Sequence, residues 1–186
     1  GIGRPKISPQ SIFTSRYRGC AVVDGMDRAA QAVAQWQRER PDIDAFPMEV
    51  LGRLAELVQV VLRDRLNPVF AEFGLQQGEF DVLATLRRSG APYALTPTAL
   101  CEAAMISSGG MTARIDRLEK AGLIERQKHP SDRRGTLVAL TPKGSALIDG
   151  LLPRHIEAER RVLVPLTEDE QRILNRLLAK LIAGLG

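Results

Sequence analysis

The run Ser107-Ser108-Gly109-Gly110, followed by Thr112, Arg114 and Arg117, gathers small, hydrogen-bonding and cationic side chains at the head of an amphipathic segment. The free backbone N–H groups of a helix N-terminus meet phosphates, and small polar side chains let that end approach base edges in a major groove. Glycine weakens a helix, so close approach of another surface would account for the pair. The plainer alternative is a cap and turn with no ligand. Further on, Lys128, Arg133 and Arg134 crowd positive charge around His129-Pro130-Ser131-Asp132, a turn sequence between two apolar runs. A basic hairpin tip reaches phosphates or a minor groove. Taken in this order, the two features read as a surface for duplex DNA, made of Thr98, Ser107, Ser108, Gly109, Thr112, Arg117, Lys128, Arg133 and Arg134.

The elements that must hold these residues follow from periodicity. Thr96-Pro97 opens a helix over about 97–104, with a capping residue and proline at the first helical position. Ser107 or Ser108 then caps a helix running to Ala121, with Met111, Ile115 and Leu118 on its buried edge and Gly122 at its close. Strands are expected over 123–127 and 137–141, and Tyr93 to Leu95 is a further short strand candidate. Helix, turn, helix and a two-stranded hairpin make a winged helix. Upstream, Ala30, Val33 and Trp36 share one face of a helix over 27–40 that Pro41 stops. Leu51, Leu54, Val58, Val61 and Leu62 form the apolar face of a second helix, which Pro68 should kink or interrupt before Gly74 ends it. A third runs over 77–88 with Phe80, Leu83 and Leu86 inward. After Pro142 a helix continues to about Val164, bent near Gly150 and Pro153. The last opens with a capping box, Thr167 with Glu170, and its leucines and isoleucines recur every three or four residues from Ile173 to Leu185, a stripe suited to packing on a partner.

The fold class read from this is mainly α with a small antiparallel β-hairpin: a winged helix-turn-helix over 76–141, flanked by helical dimerisation regions at 27–75 and 142–186. Residues 1–26 lack a clear apolar period and read as a leader, either flexible or foreign to the natural protein, with Met26 as a natural start. A net charge of +4 permits a nucleic-acid partner without demanding one. No apolar run approaches the roughly 18 residues that span a bilayer. Cys20 and Cys101 lie far apart without metal-ligand spacing, so a reducing cytoplasm is expected and no metal or cofactor. His129 and His155 have neither ligand nor triad spacing, and no nucleophile elbow or phosphate loop is present, which argues against an enzyme. Cys101 reads as a small core residue, with redox sensing as the alternative.

Asp132-Arg133-Arg134, then five residues, then Leu140-Thr141, resembles the D-x-R-x5-L-T wing signature of the MarR family, and Arg117 to Ile124 matches the end of its recognition helix. The resemblance runs from about Asp27 to the C-terminus. It implies a homodimer of two winged lobes on a pseudo-palindromic operator, with Arg134 entering the minor groove and Asp132 holding the wing's shape. It also implies repression relieved by a ligand. The stretches Trp36–Asp42 and Phe80–Arg88 are similar to the urate-responsive PecS subgroup, whose ligand residues fall by motif on Trp36, Asp81, Arg114 and Arg126. A flat heterocyclic anion needs an aromatic wall, a carboxylate for its ring N–H groups and arginine for its negative oxygen. Each residue also has a plain structural role: Trp36 anchoring the first helix, Asp81 and Arg126 as an ion pair, Arg114 on a phosphate. The effector implied is therefore a small aromatic anion, urate or a hydroxynicotinate-like acid. A winged helix that binds only other proteins is the competing class.

Overall fold

The computed structural model describes residues 27–104, 110–129 and 135–185. The chain divides into two compact units, with the boundary after Val58.

In the first unit, α1 (Arg28–Glu39) starts where the Asp27 carboxylate accepts from the Ala30 N–H at 2.8 Å. The other oxygen of Asp27 accepts from Arg53 Nε at 2.7 Å, tying α1 to α2 (Phe46–Val61). The helix packs through Ala29 and Val33 rather than through the expected face of Ala30, Val33 and Trp36. Gly52 of α2 offers no side chain opposite Ala29, so α1 settles there, and Trp36 is left 44% exposed. Of the α2 face expected to turn inward, Leu51 and Val58 are exposed and Leu54 is half-buried, while Val61 and the following Leu62 pack in part against the core.

Beyond Val61 the helix continues as a π turn, Leu62–Leu66, and then as α3 (Asn67–Glu72). Pro68 was expected to interrupt this helix; the disturbance lies just ahead of it. The Asn67 N–H bonds the carbonyl of Leu62, five residues back. Proline has no N–H to give and its ring crowds the carbonyl four residues earlier, so a wider turn there removes the conflict without breaking the helix.

The second unit carries the winged helix: α4 (Gln77–Arg88), β1 (Ala94–Leu95), α5 (Pro97–Ala103), α6 (Met111–Lys120), β2 (Ile124–Lys128) and β3 (Thr136–Leu140). The sheet has three strands in the order β1-β3-β2 rather than the two of a bare hairpin. Ile124 pairs with Leu140 and Lys128 with Thr136, while Leu95 pairs with Val138 on the other edge of β3. Leu83 and Leu86 of α4, Leu100 of α5, Ile115 and Leu118 of α6 and Val138 of β3 share one core. Cys101 packs at its margin, as a small core residue would. α7 (Pro142–Leu163) is capped by Thr141 and runs through Pro153 as one helix, adding Ile148 and Leu151 to the core. α8 (Glu168–Ala183) has the expected capping box: Glu170 N–H donates to Thr167 Oγ1 at 3.3 Å, and Thr167 N–H to Glu170 at 2.7 Å. Among the described residues, no helix is long and apolar enough to cross a membrane, and no group of His, Cys, Asp or Glu is placed to hold a metal ion.

Candidate DNA-reading surface and effector cleft

α6 inserts Met111, Ile115 and Leu118 into the core at spacings of four and three, which fixes one face inward and leaves Thr112 and Arg117 outside. Its N-cap is Gly110, held at φ +78°, and not Ser107 or Ser108 as the sequence suggested. That left-handed conformation is open to glycine and costly for residues with a Cβ, so the helix begins one residue after it. Of the residues proposed to meet DNA, Thr98, Thr112, Arg117 and Lys128 are exposed on α5, α6 and the end of β2. Ser107, Ser108, Gly109, Arg133 and Arg134, with Asp132, lie outside the described residues.

Arg117 is engaged within the fold. Its Nε donates to Glu79 Oε1 at 2.7 Å, and Nη2 lies 3.5 Å from Gln76 Oε1. Glu79 is 6% exposed; its second oxygen accepts from the Gln76 N–H at 2.8 Å, so one buried carboxylate both caps α4 and anchors the recognition helix. On the other flank, Arg126 of β2 donates to Asp116 at 2.5 Å and to Glu119, and its own N–H reaches Glu119 at 3.2 Å. Arg126 therefore ties the first wing strand to α6. It does not pair with Asp81, the structural alternative weighed for it.

Asp81 sits elsewhere, in an open cleft of about 580 Å³ between α3, α4 and α7. Phe70 and Phe80 stack at 4.6 Å, and the His155 ring lies 4.5 Å from that of Phe80, forming an aromatic wall. Asp81, Arg88 and His155 line the cleft beside Gln77, the paired Arg87 and Asp149, and Glu159. Burial pushes the Asp81 carboxyl above its ordinary value, against the opposing fields of Arg88, His155 and Arg114. His155 Nε2 is 3.2 Å from Glu159, while its Nδ1 is buried with no hydrogen-bond partner among the described residues. Arg88 also donates to the Ala103 carbonyl at the end of α5. The cleft thus sets a carboxylate, a guanidinium and an imidazole beside stacked rings.

The wider comparisons agree with this architecture. Residues 73–135 match the model of the MarR family. The transcriptional regulator PecS of Dickeya dadantii is 44% identical over 148 residues, covering 80% of this chain and 89% of PecS. Sco3205, a MarR family transcriptional regulator from Streptomyces coelicolor solved in complex with DNA, superposes with a TM-score of 0.68 at 26% identity, covering 77% of this chain and 89% of that one. BpsR of Bordetella bronchiseptica, described in terms of regulation of its DNA binding by 6-hydroxynicotinic acid, gives a TM-score of 0.60 at 26% identity, covering 72% and 98%. The chain belongs to the MarR family. It is a winged-helix, DNA-binding transcriptional regulator and not an enzyme.

Of the four ligand residues implied by resemblance within this MarR-family fold, Trp36 belongs to the first unit and Asp81, Arg114 and Arg126 to the second. Asp81 lines the cleft, and Arg114 adds its field to that carboxyl. Arg126 is held by Asp116 and Glu119, and Trp36 stands on α1 of the first unit. Sequence reasoning missed Arg88 and His155. Arg88 had a signal: Asp81, Ala84 and Arg88 recur at i, i+3 and i+7, one face of α4. His155 had none, because it comes to the cleft from a distant helix.

Proposed function

We propose that this MarR-family regulator is a cytoplasmic homodimeric repressor whose grip on a pseudo-palindromic operator is released by a small aromatic anion. The Asp81–Arg88–His155 cleft against stacked phenylalanines carries the reading. Arg88 meets a negative oxygen, Asp81 accepts from ring N–H groups, and the Phe70–Phe80 wall covers a flat face. DNA is met by Thr98, Ser107, Ser108, Gly109, Thr112, Arg117, Lys128, Arg133 and Arg134, and the second copy packs on the uncovered stripe of α8. The same helix, α4, lines the cleft and holds Arg117 of α6. A ligand that favours one position of α4 thereby biases the recognition helix, and about 1–3 kcal/mol of coupling makes a useful switch.

Urate is the effector we put first, on the PecS likeness; a hydroxynicotinate is the second reading, on the likeness to BpsR. The experiment is binding to DNA upstream of the protein's own gene, titrated with each acid, in the natural protein and in Asp81→Ala. Release by either acid, blunted in Asp81→Ala with unliganded binding kept, supports the cleft. Release that Asp81→Ala leaves unchanged removes the cleft from the mechanism.

A further inference from the structure

Two arginines of the recognition helix, Arg114 and Arg117, stand three residues apart and so share a side of α6. Both meet the first turn of α4. Arg117 is bonded to the buried Glu79. Arg114 lies across Gly78: a Cβ added to that glycine would stand 2.3 Å from Arg114 Nε and 2.9 Å from its Cζ. The guanidinium therefore occupies the space that any side chain at position 78 would fill. Gly78 lies inside α4, where alanine is the better helix former. Its conformation gives no reason for glycine; the space beside it does.

We infer that the first turn of α4 is the mount that sets the pose of the recognition helix on DNA, with Gly78 and Glu79 as its positioning residues. Gly78 provides a bare seat for the Arg114 side chain, and Glu79 provides a buried anion for Arg117. The two contacts hold α6 from one side, while Arg126 of β2 grips Asp116 and Glu119. The helix is thus fixed in roll as well as in position. The Arg114 side chain lies against α4 before DNA arrives, so less ordering of the recognition helix remains to be done on binding.

Gly78→Ala is the decisive variant, because it removes the seat while favouring the helix. We expect a melting temperature at or above that of the natural protein. Affinity for the upstream duplex, measured without effector, should fall about tenfold, the scale of one lost charge-assisted contact. Adding Gly78→Ala to Arg114→Ala should then change affinity no further, since the group that it displaces is gone. A purely structural glycine would not show that dependence. Glu79→Gln keeps an acceptor for the α4 cap but removes the anion, and it should also weaken operator binding while Arg117→Lys, which keeps a cation, recovers part of the loss seen with Arg117→Ala. Wild-type affinity in Gly78→Ala, or an equal loss with and without Arg114, would overturn the seat; wild-type affinity in Glu79→Gln would overturn the anchor. No arm uses an effector, so failure here is distinct from failure of the proposed cleft.

Discussion

Helices α4 and α8 carry apolar stripes of the same helical period, yet the chain treats them differently. α4 buries six residues: the apolar Phe80, Val82, Leu83 and Leu86, and a carboxylate and a hydroxyl, Glu79 and Thr85. α8 is properly capped and just as regular, but none of its residues is buried, and Leu177, in the middle of its stripe, is 51% exposed. Amphipathic period shows that a helix has a face to cover; it does not show whether the cover is the same chain or another. For α4 the cover is α5, α6, α7 and β3. For α8 the unmet face is what a second copy would supply, and this supports the proposed homodimer.

The sharpest way to break the comparison is to cut equal side chains from the two stripes. Leu86→Ala should cost about 2–5 kcal/mol in urea unfolding, because a fully enclosed site leaves a cavity. Leu177→Asp should leave the winged helix folded but shift sedimentation from dimer to monomer, with loss of operator binding; a stable dimer in that variant would refute the role given to α8. The same contrast predicts that the melting temperature of the natural protein rises with its concentration and that Leu177→Asp abolishes the rise. The smallest effect concerns Asp81. Its carboxyl is raised by burial, so the folded chain holds the proton more tightly than the unfolded one, and ionisation of Asp81 opposes folding. Below the ordinary aspartate value of 3.8 both states are protonated and nothing is lost; the loss develops as pH rises through the raised value. Asp81→Asn should therefore melt above the natural protein at neutral pH, with the gain vanishing in acid. Equal melting at neutral pH would mean that the cleft imposes no such strain.

Glu79 and Arg126 show where chain-local reasoning ends. The capping box of α8 was legible because Thr167 and Glu170 are three residues apart and need only the helix itself. Glu79 makes a similar cap on α4, but its second partner, Arg117, comes from a helix 38 residues on, and no spacing rule links them. Arg126 was matched by motif to the ligand set, and its bonds to Asp116 and Glu119 of α6 depend on the sheet register, which no spacing rule gives. Trp36 was assigned to a packed face by period alone, but packing went to Ala29 opposite Gly52.

The amino-acid sequence by itself determined the succession of elements in the winged helix, the inward edge of α6 and the caps of α5 and α8. These depend on neighbours within one or two turns, where the helical repeat converts spacing directly into geometry. Tertiary structure alone decided the pairing of the Ala94–Leu95 strand with β3, the arrival of His155 beside Asp81 and Arg88, and the seating of Arg114 and Arg117 on α4. Each of these joins residues far apart in the chain, and their contact follows from how the helices pack about a common core rather than from any local period.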